Sequence, residues 1–163
     1  AYDPILRHWI DQHPEVNLLW HHLPLAMHEP AATRQARLAE CIGESHGHDA
    51  FWQAISWIYQ HTLSDGQGLP PDTEYHGQNP TVQACLASKR PDTIIQAQAN
   101  GVSATPTLHL IDHHSGQSLT LAGPAEGDAL LSALDLLVAN GTEPSTAQPH
   151  PQMPADVVGD MPR

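Results

Sequence analysis

Two cysteines, Cys41 and Cys85, and thirteen histidines are the side chains of this 163-residue chain best suited to redox or metal chemistry. The cysteines form no C-x-x-C, so neither a Cys-rich zinc site nor a disulfide-dense miniprotein fits. They make either one disulfide or two buried thiols. The histidines include three close pairs. His21-His22 falls in a predicted strand, where neighbours face opposite sides and cannot readily share an ion. His46-x-His48 and His113-His114 fall in predicted loops that could hold an ion weakly. No H-E-x-x-H and no Cys/His zinc spacing is present. Solvated or hydrogen-bonded histidines account for these pairs better than a functional metal, although a histidine-rich metal-binding protein stays open as a third reading. No Ser-His-Asp set can be argued. The Gly66-Gln67-Gly68 triplet sits in a polar loop with no strand before it, which does not support nucleotide binding.

A further stretch with chemical promise is Gly101-Val102-Ser103-Ala104-Thr105-Pro106-Thr107, running into Leu108-His109-Leu110-Ile111. A small-residue loop passes through Thr-Pro into an alternating apolar run. Proline cannot donate to a sheet ladder, so Pro106 belongs at the mouth of a strand.

The elements that must position this loop follow from periodicity. Pro4 to Gln12 is a helix with Ile5, Leu6, Trp9 and Ile10 on one face. Val16 to Leu23 is dense in apolar residues and predicts a strand buried on both faces. Ala31 to Ile42 and Asp49 to Gln60 are helices, the second apolar on more than one side and so largely buried. Leu63 to Asn79 is a Gly-, Pro- and Asp-rich loop. Helices follow at Pro80–Ser88 and Pro91–Asn100, the last stopped by Asn100-Gly101. Thr107–Ile111 and Ser118–Leu121 form a hairpin, and Ala125 to Ala139 is a final helix closed by Asn140-Gly141. Residues 141–163 carry repeated prolines and few bulky apolar side chains, the composition of a disordered tail.

The order is helix, strand, helical block, hairpin, helix. With Gly-Val-x-x-Thr-Pro-Thr before a strand, it resembles DsbA-like thiol:disulfide oxidoreductases. These have a thioredoxin-like α/β fold with an all-helical insertion. Leu23-Pro24-Leu25 followed by His28, Ala39-Glu40-Cys41 followed by Phe51-Trp52, and Cys85-Leu86-Ala87-Ser88 add to the likeness, which covers about Tyr2 to Ala139. It implies a thioredoxin-like domain over residues 1–29 and 101–140 and a helical insertion over 30–100. It implies a cis Thr105-Pro106 bond. It also implies that Ala104, Thr105 and Pro106 hold an extended substrate peptide by strand addition. A structural Cys41–Cys85 disulfide inside the insertion is favoured over a redox pair, since both cysteines lie on apolar helix faces away from the loop. Such a bridge suits an oxidising compartment, and the expected location is periplasmic or otherwise extracytoplasmic.

Ala1-Tyr2-Asp3-Pro4 matches the residues just after the second cysteine of the family's C-x-x-C. The central strand and both catalytic cysteines are therefore expected just upstream of Ala1, and none of these residues is assigned a catalytic role. That strand would lie between Val16–Leu23 and Thr107–Ile111. Without it two ladders lack a partner, so it is expected from residues outside this numbering or from a second copy in a strand-exchanged homodimer. The expected partners are cysteine-containing protein substrates and a redox partner protein. No cofactor is expected. The net charge of −12, with only six Lys and Arg, argues against nucleic acid. The rival reading is a redox-inactive thioredoxin-fold module that binds peptides or dimerises. Whether the activity is oxidation, reduction or isomerisation depends on the residues around the absent cysteines.

Overall fold

The computed structural model describes residues 3–98, 101–124 and 127–142. Helix α1 (Asp3–Asp11) opens it. Leu6 and Trp9, one turn apart, are its buried side. The helix tightens at its end, where Gln12 N–H donates to Trp9 O at 3.1 Å and His13 N–H to Ile10 O at 2.9 Å.

Residues 16–25 then run without joining any ladder among the described residues. Val16, Leu18 and Trp20 are half-buried and His22 is buried, while Asn17, Leu19 and His21 are exposed. This is the period-two signature of an extended chain with one covered face. The expectation for Val16–Leu23, a strand buried on both faces, is corrected on two counts. Its outward face is open, with Leu19 79% exposed, and its backbone has no strand beside it to pair with among the described residues.

A 3₁₀ turn (Ala26–His28) leads into α2 (Ala31–His46) and α3 (His48–His61). Gly47 joins them at φ 92°, a left-handed conformation open to glycine at little cost. It serves both helices: its N–H closes α2 on Gly43 O at 2.8 Å, and its carbonyl accepts Phe51 N–H at 3.1 Å. The two helices touch at Gly43, where a Cβ would stand 2.9 Å from the Phe51 Cβ. The loop over 63–79 holds one 3₁₀ turn, Ser64–Gly66, and a single bridge between Leu63 and Gly68. Helix α4 (Pro80–Ala87) starts at Asn79, whose side-chain oxygen caps Val82 N–H at 2.9 Å, with Pro80 in the first turn. Helix α5 (Arg90–Gln98) rests on α2 and α4 through buried Pro91 and Ile95.

Strands β1 (Thr107–Ile111) and β2 (Ser118–Ala122) form an antiparallel hairpin with Thr107 opposite Ala122 and Ile111 opposite Ser118. Leu108, Leu110 and Leu121 share its inner face. Helix α6 (Gly127–Thr142) follows. Of the tail expected over 141–163, residues 141 and 142 end α6 and the remainder lies outside the described residues.

Burial gathers in two cores. One joins α2, α3 and α4 through Leu38, Ile42, Ala54, Ile55, Ile58 and Val82, with Trp20 and Trp57 against it. The other joins α1 and α6 through Leu6, Trp9, Leu130 and Leu134, roofed by Val16, Leu18, Leu108, Leu110 and Leu121. The extended segment and β1 therefore cover the same pair of helices, yet they share no ladder. Trp9 Nε1–H donates to Asp135 Oδ1 at 2.9 Å and ties α1 to α6.

Candidate functional site

The loop between α5 and β1 is built from small residues that expose main chain. Gly101 adopts φ 80°, and Val102, Ser103, Ala104 and Thr105 are all exposed. The Thr105–Pro106 peptide bond is cis, as is Glu29–Pro30. The β1 end of the loop is fastened twice. Gly123 N–H donates to Pro106 O at 2.8 Å, extending the hairpin by one rung, and Thr107 Oγ1 donates to Ala104 O at 2.8 Å. Thr105 takes part in none of the hydrogen bonds found among the described residues. Among the described residues nothing pairs with its N–H and C=O at the mouth of β1, whose second edge also has no strand partner there. Free main-chain groups at an exposed strand end are what an extended peptide can pair with.

The other end of the loop is held by side chains. Gln98, the last residue of α5, accepts His22 N–H on Oε1 at 3.0 Å, and its Nε2 faces Glu40 Oε1 at 3.5 Å. Trp20 Nε1–H, which can only donate, reaches His22 Nδ1 at 3.3 Å. Nδ1 is therefore the accepting nitrogen of that contact. Nε2 in turn lies 3.2 Å from Glu40 Oε1, close but off hydrogen-bond alignment. This cluster joins the extended segment, α2 and the root of the loop. Sequence reasoning missed it. The only hint was Glu40, a charged residue directly before Cys41 on a helix whose inward face is otherwise apolar.

The cysteines lie elsewhere. Cys41 and Cys85 form a disulfide between α2 and α4, with Cα atoms 5.7 Å apart. Cys41 is fully buried in the first core. The bridge therefore staples the helical block, while the loop opens over the second core. Among the described residues no three His, Cys, Asp or Glu side chains converge on a point that could hold a metal ion. His46 Nε2 is in contact with Gly77 O at 3.1 Å and Asn79 Nδ2 at 3.4 Å. His48 accepts Trp52 Nε1–H at 3.0 Å. His113 and His114 are exposed in the hairpin turn.

The fold has a counterpart among solved structures. The crystal structure of Pseudomonas aeruginosa DsbA2 matches with 40% sequence identity and a TM-score of 0.75, over 87% of this chain and 82% of that one. The chain belongs to the DsbA family. Its fold is thioredoxin-like with a helical insertion, and its relatives are thiol:disulfide oxidoreductases, which act on cysteine-containing substrates. No protein-family model matches the chain, and no curated protein does. Among the described residues of this DsbA-family chain no helix is long and apolar enough to cross a membrane.

Proposed function

We propose that this DsbA-family chain carries the peptide-binding face of an extracytoplasmic thiol:disulfide oxidoreductase or isomerase, with Ala104, Thr105 and Pro106 as its substrate loop. The observation that carries the reading is the main chain of Thr105 at the mouth of β1, exposed and without a hydrogen-bond partner among the described residues, in a chain 40% identical to DsbA2. The catalytic dithiol is assigned to residues just upstream of Ala1. Both cysteines within the 163 residues are already joined to each other, and a bridge with one sulfur buried in a core is a poor partner for exchange. The thioredoxin-like domain takes residues 1–29 and 101–140, and the helical insertion takes 30–100. Periplasmic location agrees with the family and with a standing disulfide.

The residues here bind and orient; sulfur exchanges sulfur. A substrate strand pairs with Thr105 and brings its thiolate to the enzyme's disulfide. That thiolate attacks one enzyme sulfur, forming a mixed disulfide and releasing the other sulfur as a thiolate. A second substrate thiolate then attacks the mixed disulfide. The products are a substrate disulfide and a reduced enzyme, with two electrons moved from substrate to enzyme. Run with a disulfide substrate and a reduced enzyme, the same exchanges reduce or reshuffle bonds.

The test uses the full-length gene product and a synthetic two-cysteine peptide. Oxidation of the peptide is expected, with a mixed disulfide trapped by acid quenching. Thr105→Pro, which deletes the main-chain donor, is expected to raise KM by roughly tenfold, the loss of about one well-placed hydrogen bond. A full-length protein with no dithiol other than Cys41–Cys85 would instead establish a redox-inactive peptide-binding or dimerising module.

A further inference from the structure

We infer that Gln98 is a positioning residue for the substrate loop, holding its root against His22 and Glu40; the inference rests on the loop being the substrate site.

The loop has two ends and they are fixed by different means. At Pro106 it is continued by backbone pairing to Gly123. At the α5 end the only described side-chain anchor is Gln98, and every group it touches belongs to another element. His22 N–H comes from the extended segment, and Glu40 comes from α2. The cluster is enclosed: the His22 side chain is 7% exposed and that of Glu40 17%. A half-buried amide in such a place has few competing waters, so its geometry is strongly favoured.

The helix beneath does not need Gln98 for its seat. Pro91 is fully buried and Ile95 is 3% exposed. Arg37 of α2 donates to Ser88 O at 2.7 Å and also to Leu86 O, just before α5, and faces Asp92 at 3.5 Å. These contacts dock α5 on α2. What Gln98 adds is a polar tie at the end of α5, three positions before Gly101, to the extended segment and to α2. A loop already held in its bound direction loses less freedom when a peptide pairs with it, so the anchor should act on substrate affinity.

Gln98→Met keeps the length and apolar stem and removes both polar contacts. Ile95→Val loosens the seat of α5 without touching the cluster and serves as the matched control. In the full-length protein, ¹⁵N order parameters over residues 101–105 are expected to fall in Gln98→Met and to hold in Ile95→Val. With the two-cysteine peptide, Gln98→Met is expected to raise KM roughly 3- to 10-fold, the range for one or two such hydrogen bonds, with kcat held within about twofold. Unchanged order parameters, or equal effects in the two variants, would overturn the assignment and leave Gln98 as ordinary helix packing. If Thr105→Pro leaves KM unaltered, the substrate-loop reading itself fails. If the order parameters still fall in Gln98→Met in that case, Gln98 positions the loop and only the loop's role as substrate site is lost.

Discussion

Asp112 is half-buried at the start of the hairpin turn, and its carboxyl is held below the ordinary value of 3.8. The Ser115 hydroxyl donates to it and is the largest cause, followed by His114 N–H at 2.9 Å, with Ser115 N–H at 3.1 Å also contributing. A lowered folded value means the ionised turn is favoured above pH 3.8 and is lost as the pH falls through the folded value. An NMR titration of the Asp112 carboxyl should therefore show its midpoint below that of an unfolded peptide, and Ser115→Ala should move it back up. A midpoint unmoved by Ser115→Ala would mean that the hydroxyl is not the cause. Asn79 offers a second test at this scale. It caps α4 through Val82 N–H, so Asn79→Ala should lower unfolding stability by about 0.5–2 kcal/mol, read from urea midpoints. The sequence shows Asp112 as the start of a polar turn, and it shows Asn79 only as the last residue of a loop, with no cap assigned. The Gln98–His22–Glu40 cluster was not legible, because its members lie far apart in sequence and polar side chains carry no periodicity that announces a distant partner.

Helical elements were the most legible, since each buried face repeats at helical spacing. Buried Leu38, Cys41 and Ile42 on α2 and Ile55 and Ile58 on α3 are the stripes the sequence displays. The hairpin was legible too, from alternation on either side of a polar turn. The stretch 16–23 was not. Its apolar density cannot distinguish two covered faces from one, and a ladder is a property of two segments. The disulfide acts at this scale by closing a 44-residue span between α2 and α4. Restricting the unfolded chain in this way is worth about 2–4 kcal/mol. Cys41→Ala/Cys85→Ala should lose about that much in chemical denaturation. An unchanged midpoint would show that packing alone seats α4.

Among the described residues, Arg7 makes a direct tie between the two cores of the molecule. Its guanidinium lies 4.7 Å from the centre of the Trp52 ring and donates to Trp52 O at 3.1 Å, so α1 of the second core grips α3 of the first. Arg7→Ala should destabilise the protein by about 1–2 kcal/mol, the sum of a cation–π contact and a charge-assisted hydrogen bond at a partly exposed site, measured by thermal or urea unfolding. An effect below about 0.5 kcal/mol, the usual range for an isolated surface change, would show that the cores are coupled through the chain and not through this pair. At the scale of the whole fold, element order and the Thr-Pro-Thr strand entry made the family legible. The packing between the cores was not, because Arg7 in an amphipathic helix looks like any solvated charge until Trp52 is placed beneath it.

The Cys41–Cys85 bridge has a practical consequence. It consumes both sulfhydryls of these residues, so with the proposed dithiol kept oxidised, labelling reagents meet no free thiol here. A single cysteine introduced by Ser103→Cys, on the exposed loop, would be the sole maleimide target within the described residues. A fluorophore attached there would report loop occupancy directly, by quenching or polarisation, whenever a peptide settles beside Thr105. The Cys41–Cys85 staple thus leaves the proposed binding face readable through one introduced thiol while the proposed dithiol stays oxidised.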